Sequence, residues 1–275
     1  MKDMKITSNP HTHTSFCDGK NSPEEMVQAA IEAGFTALGF SGHSPTPFDP
    51  NFTGIVDMEG YIREIRRLKE KYRGKLAIHL GLEVDYYSKV NWRDFDYIIG
   101  AVHNIKDEVS GIYYTVDGTA EELEACINNA FGGDALATVE GYYNLVVEVA
   151  RQKPHILAHF DLIRKLNFRH RFFDEESLEY HNIALSALEE AAKTGCIFEI
   201  SSGGLYRGYT KEPYPAPFLL RKLAELEAPV IISSDAHDDK SLDFYFNEIL
   251  FSLSDFGFRE ITLLGERGFY TKKIG

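Results

Sequence analysis

Short apolar runs alternate along the chain with longer segments in which apolar residues recur at helical spacing. Apolar runs of about four to eight residues are typical of buried strands, whereas spacings of three and four residues predict amphipathic helices. The pattern predicts strands over residues 4–13, 36–41, 75–85, 95–101, 155–160, 196–201, 230–234 and 260–264. It predicts helices over residues 58–72, 120–131, 134–152, 175–193, 216–226 and 242–256, and a small tyrosine-rich β excursion over 111–119.

The helix that follows the first strand carries its own start and stop signals. Ser22 and Glu25 form a capping-box sequence, and Pro23 stands at the first helical position. The apolar residues that follow keep one face of the helix inward, and Gly34 is placed to end it. Strands and helices therefore alternate from the first strand onward.

This alternation predicts an α/β fold with parallel strands, because a parallel return needs a connection of helical length. Seven or so such units favour a barrel, in which functional residues surround the carboxyl ends of the strands. An open doubly wound sheet is the alternative, although it collects ligands at one switch point rather than around a ring. With no long linker and 44% hydrophobic residues, residues 1–275 are predicted to form a single domain.

Charge and cysteine content restrict the partners and the compartment. The net charge of −13 opposes binding to nucleic acid, so we expect a small-molecule substrate. Cys17, Cys126 and Cys196 are odd in number and far apart, which fits a reducing compartment. The first ten residues lack the apolar stretch of a signal peptide, and no apolar run is long enough to cross a bilayer. A cytoplasmic location without membrane association is therefore expected.

Histidines and carboxylates stand at five separated points where predicted strands end. They are His11 and His13 with Asp18, His43, Glu83 with His103, His159, and Asp235 with His237. Because strand side chains alternate between faces, His11 and His13 point to the same side, as do Asp235 and His237. Buried imidazoles need partners, which divalent metals supply at once, so the pattern indicates metal ligands. His79 and His155 lie further upstream in their strands and are predicted to be core residues.

Several of these segments together resemble the polymerase and histidinol phosphatase (PHP) family. The segments are NPHTHTSFCDG at 9–19, SGHS at 41–44 and SSDAH at 233–237. The resemblance spans nearly the whole chain and is nearest to the stand-alone histidinol-phosphate phosphatases. It implies a distorted, TIM-like barrel of seven βα units that holds three divalent metal ions at the C-terminal ends of its strands.

The resemblance also implies how the ligands are shared. One metal would bind His11, His13, Glu83 and Asp235, a second would share Glu83 and add His103 and His159, and a third would bind Asp18, His43 and His237. Imidazole nitrogen combined with carboxylate oxygen suits zinc, iron or manganese, and the lack of a thiolate argues against a structural zinc site. Many family members have histidine at the position of Asp18, which predicts a weaker third site.

The activity that the resemblance implies is the hydrolysis of L-histidinol phosphate to L-histidinol and phosphate, a step of histidine biosynthesis. A hydroxide bridging the two metals that share Glu83 would attack phosphorus in line, with the metals neutralising the phosphoryl oxygens. The leaving group needs a proton, for which His237, Asp161 or a water near Asp18 are the candidates.

Recognition of a phosphate ester needs cations as well as metals. Arg164 and Arg207 are predicted phosphate clamps because a guanidinium group binds two oxygens at once, and Ser44 is a further candidate. For a substrate that carries an amine and an imidazole, acceptors and aromatic faces are expected on the same rim. The candidates for that role are Asp161, Tyr113, Tyr114 and Tyr206.

Two other functions stay open on the sequence. The chain could hydrolyse a nucleotide or a sugar phosphate, or it could be a metal-binding protein without catalytic activity. Arginines beside metal ligands favour a phosphatase over a storage protein. The choice among phosphate esters depends on likeness to one subgroup of the family.

Overall fold

The computed structural model describes residues 4–49 and 54–274. Its strands are β1 (Ser8–Asn9), β2 (Ala37–Phe40), β3 (Ala77–Asp85), β4 (Tyr97–Ala101), β5 (Asn104–Lys106), β6 (Tyr113–Thr115), β7 (Ile156–Leu157), β8 (Ile197–Ser201), β9 (Val230–Ser233), β10 (Glu260–Gly265) and β11 (Gly268–Lys273). A nine-stranded sheet has the order β1-β2-β3-β4-β7-β8-β9-β10-β11, and β5 and β6 form a separate hairpin. Every pairing in the large sheet is parallel except that of β10 with β11.

Helices connect most of the parallel strands as predicted, whereas β3 and β4 are joined by a segment with a short 3-10 helix over Trp92–Asp94. They are α1 (Pro23–Glu32), α2 (Met58–Lys71), α3 (Ala120–Ala130), α4 (Ala135–Arg151), α5 (Leu178–Ala192), α6 (Gly203–Tyr206), α7 (Pro217–Glu225) and α8 (Phe246–Phe256). The predicted capping box of α1 is confirmed, because the Ser22 hydroxyl accepts from Glu25 N and the Glu25 carboxylate accepts from Ser22 N. Among the helices of the described ranges, none is long and apolar enough to span a membrane.

The two ends of the parallel array meet, which makes the sheet a barrel. Thr12, just after β1, forms a parallel bridge with Ala236, just after β9. His13 N donates to Ala236 O at 2.8 Å, and Ala236 N donates to His11 O at 3.0 Å. Because β1 to β9 follow chain order without a reversal, the predicted barrel is confirmed and the open doubly wound alternative is wrong.

The barrel is distorted at the opposite end. There β10 pairs with β9 through Thr262 and Ile231 and also contacts β1 and β2. At this end β10 therefore lies between β1 and β9, whereas in a regular barrel β1 and β9 would pair directly. The following strand, β11, is largely exposed and was not predicted, because its sequence GFYTKK has no continuous apolar run.

Tyr97 fills the centre of the barrel. Its ring is 1% exposed, and its hydroxyl donates to Pro10 O. A Cβ added at Gly39 would lie 2.2 Å from the Tyr97 hydroxyl oxygen, and one added at Gly81 would lie 2.3 Å from Tyr97 Cζ. The neighbouring strands β2 and β3 therefore need glycine at these two positions to leave room for the ring.

Strand β7 is shorter than predicted, and His155 lies just before its first residue. Ile156 and Ala158 belong to the cluster inside the barrel, whereas Leu157 belongs to the main cluster that includes the helices. His155 is exposed, so its prediction as a core residue is wrong. His79 is buried as predicted, with Nε2 at 2.8 Å from Gly265 O.

Candidate metal centre

The predicted metal ligands converge at the carboxyl ends of the barrel strands. His11 and His13 lie on either side of Thr12, so the bridge that closes the barrel directs both side chains inward. His43 follows β2 and forms a bridge with Glu83 of β3. The other ligands follow β4, β7 and β9, and they are His103, His159, Asp235 and His237.

Glu83 is the centre of this cluster. Its carboxylate is 1% exposed and is surrounded by imidazole nitrogens from several strands. They are His43 Nδ1 at 2.7 Å, His159 Nε2 at 3.0 Å, His11 Nε2 at 3.4 Å, His103 Nε2 at 3.4 Å and His13 Nε2 at 3.6 Å. The Glu83 carboxylate therefore lies within 3.6 Å of imidazole nitrogens from five predicted metal ligands.

Asp235 and Asp18 flank Glu83 on the side of His13. Asp235 Oδ1 lies 3.0 Å from His13 Nε2, and Asp18 Oδ2 lies 3.1 Å from His237 Nε2. Asp235 has φ 47°, a left-handed conformation that is unfavourable for a residue with a Cβ and is common at functional sites. The backbone at the end of β9 thus adopts an unfavourable conformation where it delivers this carboxylate.

Three groups of these side chains could each hold a metal ion. In each group the ligand atoms lie within 4.8 Å of one another, and the groups are His11-His13-Glu83, His43-Glu83-His103 and His13-Asp18-His43-His237. The first group contains only ligands predicted for one metal, whereas the second adds His43 to the predicted Glu83 and His103, and the third adds His13 to the predicted Asp18, His43 and His237. Within the described ranges His11 Nε2 and His13 Nε2 are buried and have no hydrogen bond of good geometry, although Asp235 Oδ1 lies 3.0 Å from His13 Nε2. Nitrogens that bind a cation are expected to lie beside acid oxygens in this way. Nitrogen and carboxylate donors of this kind fit zinc, iron or manganese.

The electrostatics of the cluster favour charged carboxylates and one neutral imidazole. Burial lowers the pKa of His13, and the charges of His237 and His43 lower it further, to about 3. Burial raises the pKa of Glu83, but the charges of His43, His11 and other histidines outweigh burial and hold that pKa well below its usual range. The cluster therefore combines an ionised Glu83 carboxylate with a neutral His13 ring, which has a lone pair for a metal ion.

The two predicted arginines occupy different environments. Arg207 NH2 lies 2.6 Å from Asp235 Oδ2, and its NH1 lies 2.9 Å from Asp235 O, so this guanidinium group contacts a predicted metal ligand. Arg164 binds three carboxylates instead, those of Glu175, Asp161 and Glu212 at 2.5, 2.8 and 3.2 Å. No contact within 4–49 and 54–274 joins Arg164 to a predicted ligand.

The remaining predicted residues lie around the cluster rather than within it. Asp161 is fully buried and accepts hydrogen bonds from Arg164 and from Ala216 N. The Ser44 hydroxyl donates to Ser88 Oγ and accepts from the backbone N–H of Asp85. Three tyrosines are partly buried: Tyr113 stacks near Phe48, the Tyr114 hydroxyl accepts from Asn129, and the Tyr206 hydroxyl donates to Asp238.

Several polar residues beside the cluster were missed by the sequence analysis. Glu199, inside the apolar strand β8, contacts His11, and Asp85, at the end of β3, accepts from His103 N at 2.9 Å. Lys165 Nζ lies 2.8 Å from Asp117 Oδ2. Burial raises the pKa of Asp117, but the charges of Lys165, His103 and His159 outweigh burial and hold that pKa below its usual value. A single acid within an apolar strand was the one available signal for Glu199. No signal in the sequence distinguished Asp117 from an ordinary surface acid.

Known proteins resemble this chain over most of its length. The PHP domain family matches residues 9–203. A Deinococcus radiodurans protein named "Probable histidinol-phosphatase" is 30% identical and covers 92% of this chain and 94% of its own length. The Bacillus subtilis "Histidinol-phosphatase" is 28% identical, covering 87% of this chain and 97% of its own.

A solved structure shares the fold. The Lactococcus lactis histidinol phosphate phosphatase, complexed with zinc, L-histidinol and phosphate, has a TM-score of 0.73 at 20% identity, covering 96% of this chain and 99% of its own. The family match extends from the segment that carries His11 and His13 through β8 to Gly203, and the barrel with histidines and carboxylates at its strand ends agrees with that match. The chain therefore belongs to the PHP domain family.

Proposed function

We propose that this protein is a metal-dependent phosphomonoesterase that hydrolyses L-histidinol phosphate to L-histidinol and phosphate. The observation that carries the proposal is the buried cluster around Glu83, in which His11 and His13 each have a ring nitrogen without a hydrogen bond. Relatives named histidinol-phosphatase that cover most of the chain support the substrate.

The ligands proposed for three divalent ions, zinc, iron or manganese, are the predicted ones. They are His11, His13, Asp18, His43, Glu83, His103, His159, Asp235 and His237. Bound ions would neutralise phosphoryl oxygens and lower the pKa of a water nucleophile. The protein's own contribution is to keep the site dry, since His11, His13 and Glu83 are at most 1% exposed.

Arg207 is the proposed phosphate clamp. Its side chain is 26% exposed, and its guanidinium group lies beside Asp235 and His237, so it combines contact with the cluster and access to solvent. A guanidinium group at this position would orient a phosphate ester and stabilise the negative charge that spreads over its oxygens. The roles of Arg164, Ser44, Tyr113 and Tyr114 in substrate binding, and of Asp161 and His237 in proton transfer, stay predictions.

An acidic group near the cluster supports a substrate that carries an amine. Asp117 Oδ1 is buried and makes no hydrogen bond to any residue that the structure describes, while Oδ2 of the same carboxylate binds Lys165. The cation Lys165 would suit a phosphate oxygen, and the Asp117 carboxylate would suit an ammonium group. Nucleotides and sugar phosphates lack such an aliphatic ammonium group, so this pair favours histidinol phosphate over them.

Initial rates of phosphate release on a panel of esters test the proposal. The metal-loaded protein is assayed with histidinol phosphate, adenosine monophosphate and glucose 6-phosphate, and the expected order places histidinol phosphate first by at least tenfold in kcat/KM. A tenfold preference for the nucleotide or the sugar phosphate would replace the substrate and leave the reaction class intact. Tight metal binding without turnover of any ester would favour the metal-binding protein without catalytic activity. The predicted cytoplasmic location and the exclusion of nucleic acid as a partner stay predictions.

A further inference from the structure

Glu199 is a buried acid that the reaction proposed above does not use. It lies in the middle of β8, between Phe198 and Ile200, and is 1% exposed. Burying a carboxylate costs several kcal/mol unless hydrogen bonds and a nearby cation offset the loss of water. Within the described ranges its one ion-pair partner is His11, and no lysine or arginine contacts it.

The contacts of Glu199 use both carboxylate oxygens. Oε1 lies 2.5 Å from His11 Nδ1 and accepts from the Ser233 hydroxyl at 2.6 Å, while Oε2 accepts from His159 N at 2.8 Å. These partners come from segments at the ends of β1, β9 and β7, so one side chain connects β8 to three neighbouring segments of the barrel. Two of the partners, His11 and His159, are predicted metal ligands.

The bond to His11 determines which nitrogen of that ring faces the cluster. A carboxylate accepts hydrogen bonds, so the Glu199 contact favours a proton on Nδ1 of His11. The other nitrogen, Nε2, then carries the lone pair. That nitrogen makes no hydrogen bond and lies 3.4 Å from Glu83 Oε2 and 3.5 Å from Asp235 Oδ1.

We propose that Glu199 is a positioning residue for the metal centre, which holds His11 in the tautomer and orientation that bind a metal through Nε2. Its hydrogen bond to the backbone N–H of His159 aligns a second ligand with the same carboxylate. Histidine ligands of protein metal sites commonly donate their second N–H to such an acid, whose loss weakens metal binding about 10- to 100-fold. The inference rests on the proposed metal site and adds a residue that is not itself a ligand.

The central test compares the metal affinity of Glu199→Gln with that of the wild type. Metal-stripped protein is titrated with Zn²⁺ in competition with a chromogenic chelator, and the variant should bind its tightest ion about 10- to 100-fold more weakly. A long-range ¹H–¹⁵N spectrum of the imidazoles gives a second readout. In the zinc-loaded wild type His11 should be in the Nδ1–H form, and this preference should weaken in the zinc-loaded variant.

Two further variants separate positioning from structural support. Ser233→Ala removes one hydrogen bond to Glu199 and should weaken zinc binding in the same direction by less than tenfold, which keeps the test available if Glu199→Gln does not fold. Asn167→Ala is the matched control, because Asn167 is also buried and hydrogen-bonded to Phe172 N and Phe173 O but does not contact the cluster. It should lower the Tm of the metal-free protein without changing the affinity for zinc.

The outcomes distinguish this inference from the proposed function. A wild-type protein that binds no transition metal would overturn both. A wild-type protein that binds zinc, together with wild-type affinity in folded Glu199→Gln or in Ser233→Ala and an unchanged His11 tautomer, would overturn the role of Glu199 alone.

Discussion

Replacing Glu83 by Gln should remove more bound metal than replacing Asp18 by Asn. Glu83 belongs to two of the three candidate ligand groups, whereas Asp18 belongs to one. The neutral amide keeps the shape of each side chain and removes the negative charge that draws a divalent ion. With three groups occupied in the wild type, Glu83→Gln should therefore keep one ion per chain and Asp18→Asn should keep two.

The gain in thermal stability on metal binding follows from linkage. An ion present at about 1,000 times its Kd stabilises the folded chain by about 4 kcal/mol. The entropy of unfolding is about 2 cal/mol/K per residue near the midpoint. For 275 residues this corresponds to about 0.6 kcal/mol/K. Each occupied group should therefore raise the Tm by about 7 °C.

The assay is a thermal melt of metal-stripped protein with and without excess Mn²⁺ or Zn²⁺, combined with elemental analysis of the metal bound per chain. The gain in Tm should be about 20 °C for the wild type, about 14 °C for Asp18→Asn and about 7 °C for Glu83→Gln. Glu148→Gln, a change at an exposed glutamate paired with Arg151, is the matched control and should keep the wild-type gain. A wild-type gain in Glu83→Gln, or equal losses in the two cluster variants, would refute the view that Glu83 is shared.

Three further predictions concern the substrate and the barrel. Arg207→Lys should lower kcat/KM for histidinol phosphate about 10- to 100-fold, because one ammonium group cannot replace both contacts of the guanidinium group; unchanged kinetics would contradict the clamp. Asp117→Asn should raise KM about tenfold for histidinol phosphate and leave KM unchanged for an analogue of histidinol phosphate that lacks the amino group; equal effects on both esters would argue against an ammonium contact. Gly81→Ala should destabilise the fold by about 1–3 kcal/mol, because its Cβ would lie 2.3 Å from Tyr97 Cζ; a denaturant midpoint equal to that of the wild type would contradict this packing.

The sequence predicted the fold where the signals are local. The capping box at Ser22 and the alternation of apolar runs with amphipathic segments depend on near neighbours, and the elements that they predict are present within a few residues. Closure of the barrel depends on a pairing between Thr12 and Ala236, which are far apart in the sequence. The number of strand–helix units favoured that closure, but no local signal identified the two residues that pair. The exposed strand β11 lacks the apolar pattern on which strand prediction depends.

The candidate site shows why a ligand can be predicted while its local geometry is not. His159 was predicted as a ligand near the end of a strand over 155–160, but the strand ends at Leu157, and His159 Nε2 lies 3.0 Å from Glu83 Oε1. The position at which a strand ends therefore decides which side chains enter the site. A shift of that position by one residue moves a side chain to the other face of the sheet. Glu199 shows the complementary problem, since an acid between Phe198 and Ile200 is unfavourable until His11 and the His159 backbone arrive from other strands. The sequence shows which residues can bind a metal. The contacts that orient those residues form only when strands that are distant in the chain come together.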